Sequence, residues 1–284
     1  MSILDWENWV AIDWESGCKI GEKVVVDIKT PQALVQAIGY AKRALAAKYL
    51  VYFRGQTSYY CKMIPNLFRG ASGVKESKKD LWLRRKVMNT KTFVNSLIVD
   101  DKFMRGVNKH AVEGVLQHYG VPTRFLDLVD NIWVALWFAT HKRHQADGIN
   151  LEQYRLSKDE YSYVYIMRFE EIEKEIDRGI YRTKDLFEVI DLRIAVDSGF
   201  LRPHAQHGIV ARRIGDPAKE NIDMFENVEV ALRIKTSDAV AWLGNSILAD
   251  VSFMFPSPFF DIGYRTLRNK ISISPGIGAI DTIW

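Results

Sequence analysis

The sequence predicts a single α+β domain, and three observations carry that prediction. Apolar residues recur at helical spacing early in the chain, they alternate with polar residues in two later stretches, and the composition is that of an ordinary globular protein, 48% hydrophobic and 26% charged over 284 residues. Helices early and strands late favour a mixed, mainly antiparallel sheet packed by helices. A chain of this length can bury one large core, or one core with a small appendage. The expected layout is an N-terminal extension over 1–30 and one domain over 31–284.

In order along the chain, Thr30-Pro31 reads as an N-cap followed by proline at the first helical position. Leu34, Ile38, Ala41 and Leu45 then mark one helical face ending near Ala47. Tyr49 to Arg54 forms a short, largely buried strand that Gly55 stops. A second helix is expected from about Asp80 to Val99, with Leu83, Val87, Val94 and Ile98 on one stripe. Val112 to Tyr119 forms the last turns of a helix, with Gly120 as C-cap and Pro122 beyond it. Asn131 to Lys142 is apolar nearly all round and reads as a buried helix. The polar stretch from Ala146 to Asp159 is expected as a loop. Tyr161–Phe169 and Val228–Ile234 alternate as strands. Ser237 to Ala249 reads as a helix, before the aromatic segment Phe253 to Phe260.

Net charge is +4 and the pI near 8.9, a mild excess rather than the signature of a polyanion-binding protein. The basic clusters Lys78-Lys79, Arg84-Arg85-Lys86 and Arg212-Arg213 are ordinary solvated faces in the first instance. No stretch approaches the roughly 18 uninterrupted apolar residues of a membrane span. The acidic N-terminus, with Asp5, Glu7, Asp13 and Glu15, does not resemble a signal peptide. With two cysteines only, Cys18 and Cys61, the expected compartment is the cytoplasm. Trp6, Trp9 and Trp14 are expected to dock on the core.

Polar residues that break the apolar pattern fall in three places. Arg54 ends an apolar strand, where a guanidinium suits a carboxylate or phosphate; its structural alternative is an ion pair with an acid such as Asp127. Residues 117–127, QHYGVPTRFLD, are dense in donors and acceptors between two apolar helices, so they either satisfy their own backbone or line a cleft. Residues 202–208, RPHAQHG, add His204, Gln206 and His207. No histidine or cysteine spacing matches a standard zinc site, and no metal is expected. A Walker loop, a GxGxxG after a strand and a GxSxG elbow are all missing.

Together these segments resemble the FRG domain family, named for its Phe/Tyr-Arg-Gly signature. YFRGQ (Tyr52–Gln56) with MIPNLFR (Met63–Arg69) is similar to the family's opening. LQHYGVPTRFLDLVDNIWVALWFAT (Leu116–Thr140) resembles its central block almost throughout, and RPHAQHGIVAR its third. The resemblance covers roughly Lys48 to Lys270, with Leu128-Val129 where members often carry Trp-Thr. The layout in turn resembles ADP-ribosyltransferases. That likeness implies an ADP-ribosyltransferase-like fold with NAD as co-substrate, a first-strand Arg-Gly at the NAD phosphates and a polar turn beside the nicotinamide. It also implies a helix of the Ala-Leu-x-Phe-Ala type, matched by Ala135 to Ala139.

On that likeness Arg54, His118, Asp127 and Gln206 are the candidate catalytic residues. Arg54, Gly55, Gln56, Tyr119, Thr123 and Arg124 are the candidate NAD-binding residues, with Tyr119 stacking on nicotinamide. Gln206 and His207 stand where those enzymes carry a glutamate, and a neutral amide cannot stabilise developing positive charge as a carboxylate does. Asp127 is the candidate for that charge. Three readings follow. The first is an NAD-dependent ADP-ribosyltransferase or NAD glycohydrolase, an effector in bacterial or phage conflict with a protein or nucleic-acid acceptor. The second is a non-catalytic nucleotide-, phosphate- or nucleic-acid-binding module. The third is a structural role, in which the polar blocks knit helices to the sheet.

Overall fold

The computed structural model describes residues 4, 6, 11, 12, 24–145, 152–245 and 250–271. Its first elements are β1 (Ala11–Ile12), β2 (Val25–Ile28), α1 (Pro31–Leu45) and β3 (Tyr49–Gln56), followed by α2 (Glu76–Asp100), α3 (Lys102–Arg105) and α4 (Val112–His118). After β4 (Leu126–Val129) and α5 (Ile132–Thr140) come β5 (His141–Gln145), β6 (Glu152–Leu156), β7 (Tyr161–Glu170), β8 (Ile172–Asp177), β9 (Ile180–Thr183) and β10 (Phe187–Asp191). The chain continues through α6 (Leu192–Ala195), α7 (Leu201–Ala205), β11 (Gly208–Arg213), β12 (Val228–Lys235), α8 (Thr236–Leu243), α9 (Val251–Met254) and α10 (Ile262–Ile271).

The fold is α+β, and the chain divides into two compact units, each built from discontinuous segments. The first takes Met1–Met63, Leu128–Glu171 and Met224–Phe253; the second takes Ile64–Asp127, Ile172–Asp223 and Met254–Trp284. In the first unit a sheet runs in the order β1-β2-β12-β7-β3, with Val129 of β4 beside Phe53. All its pairings are antiparallel except β2 with β12, where Val25–Ile28 runs parallel to Ala231–Ile234. Val25, Val26 and Ile28 are buried. The first 30 residues are thus not a simple extension, since they supply a sheet strand. Trp6 is also buried, edge-on to Tyr40 at 5.3 Å, and Glu229 accepts from Leu4 N at 2.7 Å. Trp9 and Trp14 lie outside the described residues.

Local chemistry explains the helices of this unit. Thr30 Oγ1 accepts from Ala33 N and Pro31 opens α1, whose face of Leu34, Ala37, Ile38, Ala41 and Leu45 is buried. Asn131 caps α5 by accepting from Trp133 N and Val134 N. That helix is buried on most sides, as its unbroken apolar sequence requires. The polar stretch after it is not wholly a loop: Glu152–Leu156 pairs antiparallel with His141–Gln145 as a two-stranded ribbon, while 146–151 lie outside the described residues. Gly55 does not end β3, which runs on to Gln56.

In the second unit β11-β10-β9-β8 form an antiparallel meander. Its main core gathers Phe93, Leu116, Phe125, Ile190, Phe200 and Val210 from α2, α4, the turn before β4, the meander and the segment before α7. Gly120, the expected C-cap residue of α4, has φ of 90°. None of the described helices is long and apolar enough to cross a membrane. Cys61 is disulfide-bonded, so cysteine usage gives no support to the cytoplasmic expectation.

Candidate functional site

Gly55 is fixed by packing. A Cβ built there would stand 1.8 Å from the carbonyl oxygen of Ala135 and 2.7 Å from the amide nitrogen of Ala139. The glycine of the Arg-Gly pair and the two alanines one turn apart on α5 therefore let helix and strand meet backbone to backbone. In register on β7, Arg54 faces Tyr165, Gly55 faces Val164 and Gln56 faces Tyr163. Burial raises the Tyr165 hydroxyl pKa, and that hydroxyl accepts from Tyr60 N at 2.7 Å. Gln56 donates to Met63 Sδ at 3.7 Å, a weak contact. Arg54 is half-buried on this strand.

The second unit brings together Gln117, His118, Thr123, Asp127 and Gln206. Thr123 Oγ1 donates to Gln117 Oε1 at 2.7 Å, which orients the amide, and Gln117 Nε2 donates to Asp127 Oδ2 at 2.8 Å. The other carboxylate oxygen, Oδ1, lies 3.7 Å from His118 Nε2. Asp127 is 40% exposed at its side chain and His118 only 3%. The carboxylate is thus the open member of this group, and the imidazole is its buried backing. His118 sits there because Gly208 has no side chain: a Cβ at Gly208 would stand 2.4 Å from His118 Cε1. Burial pushes the His118 pKa down; Asp127 opposes the shift, Arg202 adds to it and Gln206 opposes it. Its usual value is near 6.5, so His118 is neutral at neutral pH. The Gln206 amide donates to Met254 O at 2.8 Å.

Tyr119 and Arg124 have other duties. Tyr119 is fully buried, its hydroxyl donates to Asp261 at 2.6 Å, and the Arg202 guanidinium lies 4.6 Å from its ring centroid. Phe200 and Tyr264 enclose it further. The stacking role expected of Tyr119 is not open to a ring held in this way. Thr123, also fully buried, is a link in the Gln117 relay rather than a contact for a ribose. Arg124 grips Glu113, with Nε 2.9 and 3.1 Å from the two carboxylate oxygens and Nη2 closer still. Burial pushes the Glu113 carboxyl up, but its hydrogen bonds and charge contact with Arg124 outweigh this and hold its pKa below the usual range.

Sequence reasoning passed over Gln117, Glu113 and Arg202. Arg202 is fully buried, donates from Nη1 to His118 O at 2.9 Å and lies over the rings of Tyr119, Phe255 and Tyr264. An arginine one residue before a proline in a short helix gives no sign of such an aromatic cage. Gln117 could have been noticed as the polar residue beside His118 at the end of an apolar helix.

These contacts put the central block and the third block in one polar cluster. Over residues 50–148 the chain matches the FRG domain. The matched stretch holds Arg54-Gly55, the whole Gln117–Asp127 relay and α5. Gln206 and Gly208 lie beyond it. No curated protein and no solved structure matches the chain.

Proposed function

We propose that this FRG-domain protein cleaves the bond between nicotinamide and ribose in NAD, with Asp127 as the carboxylate that faces the developing positive charge. One observation carries the reading. Asp127 is a solvent-facing carboxylate held by a donor that is itself oriented, through Thr123 Oγ1 to Gln117 Oε1 and Gln117 Nε2 to Asp127 Oδ2. A fixed negative charge of this kind is the group that the ADP-ribosyltransferase likeness requires and that Gln206 does not supply. In the step, the carbon–nitrogen bond breaks with its electron pair leaving on nicotinamide, which departs neutral. The ribosyl carbon becomes cationic beside the carboxylate, and water or an acceptor nucleophile adds there and loses its proton. Preorganised charge of this type acts because it needs no rearrangement as the cation forms.

His118 serves Asp127 in this account. Neutral and buried, it stands 3.7 Å from Oδ1 and brings no positive charge there. A protonated imidazole in the same place would cancel the charge of the carboxylate. The experiment is nicotinamide release from NAD by wild type, Asp127→Asn and Gln117→Ala. Asp127→Asn is expected to lower kcat about 10²- to 10³-fold, the scale of removing one preorganised electrostatic contact. Gln117→Ala should lower kcat less, with little change in KM. Arg54→Ala, in a separate series, tests the phosphate-binding role that the likeness gives this residue, and should weaken NAD binding with the fold intact. The non-catalytic alternative predicts NAD binding with no release of nicotinamide in any of these samples.

A further inference from the structure

The second unit carries a pocket of about 230 Å³ that the catalytic reading does not use, lined by Lys91, Lys109, His110, Glu113, Arg124 and Arg212 among others. Lys91 comes from α2, Lys109 and His110 from the turn before α4, Arg124 from the turn before β4, and Arg212 from β11. Carboxylates behind them set the two guanidiniums in place. Arg124 is clamped by Glu113, and Arg212 donates from Nε and Nη2 to Glu188 Oε1 at 3.1 and 2.9 Å. The Arg212 guanidinium also lies 5.3 Å from the Phe125 ring centroid. Lys91 and Lys109 have exposed side chains and no ion-pair partner among the described residues. Four cations therefore meet Glu113 in the lining and Glu188 behind Arg212, an excess of two positive charges.

We propose that this pocket binds the phosphate group of a small phosphorylated ligand. Glu113 already accepts from the Arg124 backbone amide, Nε and Nη2, so it offers little to a cationic or donor-rich guest. Arg124 and Arg212 each spend Nε and Nη2 on Glu113 and Glu188, so what the pocket offers a guest is the remaining Nη1 group of each guanidinium and the exposed ammonium groups of Lys91 and Lys109, a combination suited to a phosphate dianion. Its volume is below the range usual for drug-sized ligands, roughly 300–1,000 Å³, which suits one phosphate and a few attached atoms. The site stands independently of the NAD reading.

The test uses the full chain with four probes, inorganic phosphate, ribose 5-phosphate, ribose and a single-stranded oligonucleotide, followed by calorimetry at low and moderate salt. Saturable binding of phosphate or of the phosphate ester, with no binding of ribose, supports the assignment; the preferred probe tells free phosphate from a phosphomonoester. Lys91→Ala and Lys109→Ala, both exposed positions, should each weaken binding roughly tenfold, the scale of a lost charge-assisted hydrogen bond. Asp127→Asn should bind phosphate as wild type does, which separates this site from the carboxylate centre. No saturable binding, or affinity untouched in the Lys91→Ala, Lys109→Ala double variant, overturns the proposal. Binding of a single-stranded oligonucleotide with none of the small phosphates also overturns it.

Discussion

His118 and Asp127 lie 3.7 Å apart with their exposures reversed from a usual base-and-orienter pair: the histidine is enclosed and the carboxylate is open. That inversion gives a prediction about stability. Burial lowers the folded-state pKa of His118 below the ordinary value of 6.5. The unfolded chain therefore binds a proton first as pH falls, and protonation favours unfolding. Stability contributed by the neutral imidazole is complete above the unfolded value and is lost as pH drops through it toward the folded pKa. His141 is lowered too, by burial first, so the two must be separated. Thermal midpoints measured between about pH 8 and pH 5 should fall in wild type and fall less steeply in His118→Asn. Parallel curves would show that His118 does not carry the effect. At this scale the sequence was informative about position and weaker about duty. His118, Asp127 and Gln206 do come together. Tyr119 and Arg124 were read as ligand contacts because an aromatic and a cation in a polar turn look alike whether they face a cleft or a neighbour. Their partners, Asp261 and Arg202 for one and Glu113 for the other, lie 142, 83 and 11 residues away by number.

At the scale of elements, the helix α5 and the strand β3 are matched by the smallest side chains at their closest point. Gly55→Ala sets a Cβ 1.8 Å from a backbone carbonyl oxygen, which no rotamer change relieves. The expected cost is about 3 kcal/mol, the upper end for overpacking, read as a fall in urea midpoint with the slope unchanged. A midpoint equal to wild type would mean that the helix moves away freely. The elements with strong periodicity, α1, α2, α5, β7 and β12, were legible because one buried face repeats over several turns or pairs. The meander β8–β10 was not. Ile172–Asp177 is almost wholly exposed and mostly charged, and Glu188 is buried inside β10 because Arg212 pairs with it. Both facts remove the apolar alternation by which a strand is seen. Glu152–Leu156 was missed because Tyr154 and Leu156 are its only apolar residues, too few to show an alternation.

For the whole molecule, the two units interleave along the chain, and the first two strands of the sheet, β1 and β2, come from residues that sequence periodicity left in an extension. Parallel pairing of Val25–Ile28 with Ala231–Ile234 joins segments some 200 residues apart, and four residues carry too little pattern to announce it. A chain begun at residue 31 would lose the buried side chains of Val25, Val26 and Ile28 and leave β12 unpaired on that side. At about 1.5–3 kcal/mol for each buried side chain, the loss is a large part of the roughly 5–15 kcal/mol that holds a domain folded. The truncated chain should be insoluble or melt far below the full one in a thermal scan, and an unchanged midpoint would contradict the role given to β2. The FRG match itself, 50–148, takes part of each unit.

The central claim is that Asp127, held by Gln117 and Thr123, is the charge that makes NAD cleavage run. The most direct measurement is nicotinamide released from NAD by wild type and Asp127→Asn at equal concentration, both confirmed folded by circular dichroism. The account predicts release by wild type and a loss of about 10²-fold or more in the variant with NAD binding retained. No release from folded wild type, or equal release from both, would contradict it.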